Sequence, residues 1–190
     1  LEAGYERITA DLGHTMTRRT PVYIYPTMEA FHEAVGRPGA PDWYIGEGSD
    51  GVISIVSPRH MRQNAANVLC HEFTHILSAE IGPMPQWLFQ GIAMYEGQET
   101  PYDQIEYSLR SGVRSGSVPS INQMSGTYEG FTEVNGYPYA YSLVRYIVRS
   151  YGMDKLTLLL HQPNNVQGIL GITRDELNEA WMKDLEERYR

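Results

Sequence analysis

The chain has 190 residues, of which 42% are hydrophobic, and its formal net charge is −8. A chain of this length most naturally forms one domain, which buries roughly two thirds of its unfolded surface. No stretch approaches the ~20 apolar residues of a transmembrane helix, and an acidic surface offers no attraction to nucleic acid or to an anionic membrane. The single cysteine, Cys70, forms no internal disulfide. We therefore expect one domain, 1–190, whose main partner is neither nucleic acid nor a membrane surface.

The beginning of the chain predicts a helix, a strand and a second helix. Residues 1–13 carry one apolar stripe at helical spacing, and a glycine ends the pattern. The stretch PVYIYP (21–26) predicts a strand between two prolines. Thr27 has the residue type of a helix N-cap, and the helix that it opens runs to Val35.

A hairpin follows in the stretch WYIGEGSDGVISIVS. It predicts an edge strand at Trp43–Gly46, a turn at Ser49-Asp50-Gly51, and a β-branched strand at 52–56. An edge strand is able to pair with an extended peptide, although a purely structural hairpin explains the pattern nearly as well. The small N-terminal sheet is therefore expected to be mostly antiparallel.

Helices dominate the remainder of the chain. They are predicted from about Gln63 to Glu80, from near Pro85, at YPYAYSLVRYIVRSYG (137–152), from Asp154 to His161, and after the capping box that begins at Thr173. The stretch 99–136 is rich in Gly, Ser, Tyr and Thr, and it predicts mostly loop with one short helix. A sheet followed by helices is an α+β plan.

The pattern H-E-x-x-H lies in the first of these helices. His71 and His75 are four residues apart, so their imidazoles point to one face, about 40° apart, and two neutral imidazoles on a rigid helix bind Zn²⁺. Glu72 is rotated about 100° from His71. That offset disfavours Glu72 as a third ligand but suits a base that takes a proton from water at a metal.

The same pattern has explanations that need no metal. It is compatible with a surface helix that carries two solvated histidines, or with a buried pair that binds nothing. The apolar surroundings, VLCHEFTHIL, favour the metal, because an apolar helix that turns two histidines and a glutamate inward needs polar partners. Cys70 within this run is expected to be a small buried core residue.

Several segments together resemble the gluzincin clan of zinc metallopeptidases, in particular the small bacterial peptidase MA-like family. They are PVYIYPTMEAFHEAVGRPGAPDWYIGEGSDGVISIVSP, HEFTH with PQWLFQGIAMYEG, YPYAYSLVRYIVRSYG, KLTLLL and TRDELNEAWMKDL. The stretch 99–136 resembles the family least. The resemblance implies a zincin-like fold and a Zn²⁺-dependent peptidase whose substrate is a peptide or protein. It also implies that a tyrosine, Tyr137 or Tyr141, stabilises the oxyanion, although aromatic packing is the default reading of both residues.

One departure from the family falls on the third metal ligand. The family has a glutamate before the glycine of the second helix, and this chain has Gln90 before Gly91. Either Gln90 still ligates through its carbonyl oxygen, or another carboxylate replaces it, or the metal is lost; the glutamine itself is either natural or introduced. We rank ligation by Gln90 first because Ala93 and Tyr95 keep the family's spacing. Glu96 is the closest carboxylate in sequence, but at about 240° around the helix from Gln90 it should face elsewhere. The carboxylates that could fold back to the site are Glu99, Asp103, Glu129 and Glu133.

These observations lead to one expected function and two rivals. The expected function is peptide-bond hydrolysis with zinc on His71, His75 and Gln90 and with Glu72 as general base. The first rival is an inactive relative that binds peptide or protein through the same cleft, and the second is a structural metal-binding module. Because family members are often exported or membrane-anchored and the chain starts at Leu1, we expect an extracytoplasmic location with a targeting segment outside this chain.

Overall fold

The computed structural model describes residues 2–98 and 102–190 and divides into two compact units. The N-terminal unit comprises Leu1–Glu80 and Glu96–Glu99, and the C-terminal unit comprises Ile81–Tyr95 and Thr100–Arg190. A small sheet lies in the first unit and helices make up the second, so the α+β class expected from the sequence is confirmed. The expectation of a single domain stays a prediction.

The N-terminal unit contains three strands, and helices precede, interrupt and follow them along the chain. Its elements are helix α1 (Glu2–Leu12), strand β1 (Val22–Tyr25), helix α2 (Met28–Ala34), strands β2 (Gly46–Ser49) and β3 (Val52–Val56), a 3₁₀ turn (Pro58–His60) and helix α3 (Ala65–Ile81). The predicted N-cap of α2 is confirmed, since the Thr27 hydroxyl accepts from the Ala30 amide at 3.1 Å.

The sheet is mixed, with strand order β1-β3-β2. Strand β2 pairs antiparallel with β3, with Gly48 opposite Ile53, whereas β1 pairs with β3 in parallel, with Val22 opposite the same residue. The parallel pair arises because α2 and β2 lie between the two strands along the chain. Ile53 and Ile55 of the central strand β3 are fully buried and belong to the hydrophobic core of this unit.

The predicted edge strand is displaced along the sequence. Trp43 and Tyr44 belong to a turn, in which the Tyr44 amide donates to the Pro41 carbonyl at 2.9 Å, and β2 begins only at Gly46. The prediction of a strand at Trp43–Gly46 is therefore wrong in its bounds, because the aromatic residues that suggested it form the turn. Strand β2 is instead built around two glycines.

The C-terminal unit consists of helices. It contains most of α4 (Gln86–Gly97) and then α5 (Tyr102–Ser115), a 3₁₀ turn (Gln123–Ser125), α6 (Tyr128–Glu133), α7 (Gly136–Tyr151), α8 (Met153–His161), α9 (Val166–Leu170) and α10 (Arg174–Tyr189). The capping box that was expected at Thr173 is confirmed. Trp181 of α10 is fully buried and its indole donates to the Ser142 hydroxyl at 3.1 Å. None of the helices in the described part of the chain has the length and apolar composition that crossing a bilayer requires.

The expectation of mostly loop over 99–136 is wrong. Helix α5 alone spans fourteen residues, and α6 and a 3₁₀ turn follow it. Ile105 and Leu109, one helical turn apart, are buried, and α5 packs against α7 and α10. The serine and glycine content of the stretch lowers its intrinsic helix propensity, and packing of this narrow apolar stripe overrides that preference.

Candidate active site

Helix α3 buries the three polar residues of the H-E-x-x-H pattern. His71, Glu72 and His75 are 7%, 7% and 8% exposed, and Cys70 beside them is buried as expected. The Nε2 atoms of the two imidazoles lie 3.0 Å apart, and the rings meet edge to face with their centroids 4.7 Å apart. The helical spacing thus brings two ring nitrogens to one point, as the sequence predicted.

Burial keeps both imidazoles neutral at neutral pH. Desolvation lowers the pKa of His71 to about 4. Desolvation also lowers the pKa of His75 well below its usual value, and the neighbouring charge of His71 would lower it further. A neutral imidazole with its lone pair available is the form that binds a metal. Two nitrogen ligands of a tetrahedral zinc lie about 3.3 Å apart, so the observed pair suits such an ion.

Strand β2 lies directly on the helix at Glu72. A Cβ atom added at Gly46 would be 2.8 Å from Glu72 Oε1, and one added at Gly48 would overlap the Glu72 backbone carbonyl. Only glycine permits so close an approach of strand and helix. The strand therefore fixes the carboxylate from one side, and because β2 is an edge strand it brings a sheet edge next to that carboxylate.

Glu96, which the sequence analysis expected to face away from Gln90, is engaged by Arg7. Its side chain is fully buried and Arg7 Nη1 donates to Oε2, while Arg7 Nη2 donates to the Glu96 backbone carbonyl at 2.9 Å. Glu99 lies outside the described residues. Across residues 2–98 and 102–190, no group of three or more His, Cys, Asp or Glu side chains is placed to hold a metal ion. The alternative that a further carboxylate completes the site gains no support from the described residues.

Gln90, Tyr137 and Tyr141 lie in the C-terminal unit. Gln90 is buried on α4, and the next residue, Gly91, packs on α7, where an added Cβ would be 2.7 Å from the Ala140 carbonyl oxygen. Gln90 is thus the residue next to this contact on α4, and Tyr141 is the residue next to it on α7. The Tyr137 hydroxyl is 3.0 Å from that of Tyr128. The structure thus groups the candidate third ligand with the helix of both candidate tyrosines.

Three histidines outside the H-E-x-x-H pattern have polar partners of their own. His14 pairs with Glu80 at 3.1 Å, and His60 bonds the Pro26 carbonyl at 2.9 Å. His32 is buried, and its Nε2 contacts the Tyr44 carbonyl at 2.9 Å. None of these contacts draws the three histidines toward the α3 pair.

A cluster that the sequence did not reveal surrounds the Tyr44 hydroxyl. The Tyr44 hydroxyl donates to Glu47, whose carboxylate is also 3.4 Å from Arg37 Nε. Burial, and next the hydrogen bond to Glu47, raises the pKa of Tyr44, and the charge of Glu72 adds a smaller upward effect. Tyr44 is therefore within electrostatic reach of Glu72. Tyr44 and Glu72 lie in different elements, so no local pattern indicates this electrostatic interaction.

Comparison with known proteins gives one match. A sequence model of the family described as the peptidase MA superfamily matches residues 2–186. The match includes α3, α4 and α7 and therefore the candidate site residues on these helices. Neither curated proteins nor solved structures give a match.

Proposed function

The chain belongs to the peptidase MA superfamily, and on this premise we propose that it is a zinc-dependent metallopeptidase that hydrolyses peptide bonds in a peptide or protein substrate. The observation that carries the proposal is the pair of buried, neutral imidazoles of His71 and His75, with Nε2 atoms 3.0 Å apart on the helix that also buries Glu72. A helix that buries three such groups and presents two nitrogens to one point supplies two of the three protein ligands that a catalytic zinc needs.

The protein's own residues divide the chemistry among them. Bound zinc supplies polarisation of the scissile carbonyl and a lowered pKa of water. The Glu72 carboxylate accepts the proton of the attacking water and passes it to the leaving amine. A tyrosine hydroxyl, of Tyr137 or Tyr141, donates a hydrogen bond to the oxyanion. The exposed side of strand β2 is the sheet edge on which an extended peptide would pair.

Gln90 is proposed as the third ligand because of its position in the family pattern. It stands directly before Gly91, where the family has glutamate, and it is buried. An amide oxygen coordinates without contributing charge, so the ligand set His71, His75 and Gln90 leaves the full charge of the ion uncompensated. We therefore expect weaker zinc binding than a glutamate would give, and a stronger effect of the ion on the acidity of water.

A second candidate function follows from the same residue. With glutamine in place of glutamate, and with no further carboxylate grouped with the histidines among the described residues, an inactive relative that binds peptide or protein through the cleft is the alternative. Such a protein has no use for a base, which is why the buried Glu72 favours the enzyme. The expected location outside the cytoplasm belongs to the proposal as well.

Zinc analysis of the chain beside its Gln90→Glu variant tests the proposal. Both proteins are dialysed against limiting zinc, their zinc is measured by mass spectrometry, and hydrolysis of fluorescein-labelled casein is followed. Gln104→Glu, the same change at an exposed position of α5, is the matched control. One zinc per chain in the unaltered protein, with hydrolysis that a chelator abolishes, supports the proposal. Zinc in Gln90→Glu alone favours the inactive binder, and zinc in neither overturns a metallopeptidase.

A further inference from the structure

We propose that Arg7 and Glu96 are positioning residues for His71, acting through the last turn of α4. The inference rests on the proposed function, because it treats His71 as a metal ligand. Both residues and the histidine belong to the N-terminal unit. Their effect on the metal site requires no contact of Arg7 or Glu96 with the ion itself.

The first link joins α1 to the end of α4. Arg7 binds Glu96 twice, through the carboxylate and through the backbone carbonyl. Glu96 is 1% exposed and lies next to the C-terminal end of its helix, where the helix dipole disfavours a negative charge. A buried carboxylate at this end is stable only with a cation beside it, and Arg7 also bonds a terminal carbonyl of the helix. The arginine therefore holds the last turn of α4 in one position.

The second link joins that turn to the metal-binding helix. Gly97 follows Glu96, and a Cβ added to it would lie 2.7 Å from His71 Cβ and 3.2 Å from His71 Cα. The next residue of the turn is also tied to α3, since Asn67 Nδ2 donates to the Gln98 carbonyl at 2.9 Å. The backbone of the turn thus rests on α3 at the base of the His71 side chain.

The two links together form a rigid connection from α1 to His71. A side chain whose Cβ is packed against backbone has little freedom to tilt, and a metal ligand gains affinity when its ring is held in one orientation. Loss of Arg7 releases the turn, whereas a methyl group at residue 97 pushes it against His71. Either change should alter the direction of the imidazole and weaken a metal bound to it.

The experiment measures metal binding in variants of each link. Arg7→Met and Gly97→Ala are compared with Arg149→Met, which removes an exposed ion pair to Asp184, and with Gly130→Ala, where the added Cβ meets only an ordinary contact at 3.6 Å. Zinc affinity is obtained by competition with a chromophoric chelator, and the absorption of the cobalt-substituted protein reports ligand geometry. We expect about tenfold weaker zinc binding and a changed cobalt spectrum in the first two variants, with the controls within twofold of the unaltered chain.

Two further measurements separate the outcomes. Circular dichroism establishes that each variant is folded, and Arg7→Lys, which keeps the charge but loses one of the two hydrogen bonds, should restore part of the affinity. Unchanged zinc affinity and cobalt spectrum in both test variants would overturn the positioning role. If the unaltered chain binds no zinc, the proposed function fails, and the positioning role is then tested on the metal-free chain by ring ¹H–¹⁵N spectra. In both test variants the ring resonances of His71 must shift more than those of His60; otherwise the positioning role is overturned as well.

Discussion

The two units treat their candidate functional residues differently. In the N-terminal unit, His71, Glu72 and His75 are buried side by side on one helix, and glycine backbones at residues 46 and 97 press against that helix. In the C-terminal unit, the candidate residues lie on two helices, and the candidate ligand is a neutral amide. The proposed general base thus lies in the unit with the tighter local constraints, and the proposed third metal ligand lies in the other.

This difference indicates that substitutions in the two units affect stability and activity differently. A residue that serves both packing and chemistry, such as Gly48, cannot change without affecting both. Gln90 occupies a buried position in which glutamate and glutamine have nearly the same shape, so a change of charge leaves the packing intact. We infer that activity can be altered in the C-terminal unit without loss of the fold, and the following predictions test that division.

The largest expected effect is that of Glu72→Gln. Removal of the general base should lower casein hydrolysis by about 10²- to 10⁴-fold, while zinc content remains that of the unaltered chain because the amide keeps the shape of the carboxylate. Rate and zinc content are measured on the same preparation. Glu80→Gln, at an exposed position near the end of the same helix, should change neither quantity. Full activity of Glu72→Gln would remove the assignment of proton transfer to the N-terminal unit.

The tyrosines of α7 come next. Loss of an oxyanion donor costs about 10²- to 10³-fold in rate, so either Tyr137→Phe or Tyr141→Phe should lower kcat by that factor with little change in KM. Tyr139→Phe is the matched control, because its hydroxyl contacts the Ser108 carbonyl at 3.4 Å on another face of the helix. If neither test variant loses more than threefold, the C-terminal unit supplies no donor from these residues.

Gly48→Ala should weaken folding and activity together. The added methyl group overlaps the Glu72 carbonyl, and overpacking of this kind costs roughly 1–3 kcal/mol of unfolding free energy. Urea unfolding measures the loss, and casein hydrolysis at a temperature where the variant is folded measures the displacement of Glu72. Gly130→Ala, in a helix with room for the methyl group, is the control. A variant with normal stability and normal rate would show that strand and helix move apart freely.

Gly91→Ala should have the smallest effect. Its methyl group would meet the Ala140 carbonyl oxygen and, at 2.8 Å, the Val144 side chain. The nearest of these neighbours is backbone, but the approach is less close than the overlap at Gly48, so we expect a smaller loss within the overpacking range of roughly 1–3 kcal/mol. The double variant Gly91→Ala/Val144→Ala should show less loss than the two single changes added together, in urea unfolding. Strict additivity would mean that α4 and α7 are not in the contact described.

Local patterns predicted the parts of the molecule that depend on local structure. Helix α3 and the convergence of His71 and His75 follow from helical geometry alone, and the caps at Thr27 and Thr173 follow from hydrogen bonds within one turn. The family resemblance, carried by the spacing of α3 and α4, identified the superfamily. Such features need no knowledge of which elements meet in space.

The features that escaped prediction depend on distant parts of the chain. The parallel pairing of β1 with β3 and the burial of Glu96 by Arg7, 89 residues away, leave no periodic trace. Helix α5 was not predicted because its apolar stripe is narrow and serine and glycine lower its intrinsic helix propensity. Its packing on α7 and α10 stabilises it. The role of Gln90 is a different case, since neither pattern nor burial measures the affinity of an amide for zinc.

The glycines of strand β2 carry a consequence for the history of such chains. Gly46 and Gly48 exclude side chains because the helix backbone and the Glu72 side chain occupy the space. A lineage that lost hydrolysis would still be selected to keep both glycines, since a larger residue at either position would meet the helix, but this packing does not require a carboxylate at residue 72. Survival of the two glycines in a descendant therefore records the requirements of folding, and the inheritance of activity has to be traced at residues 72 and 90.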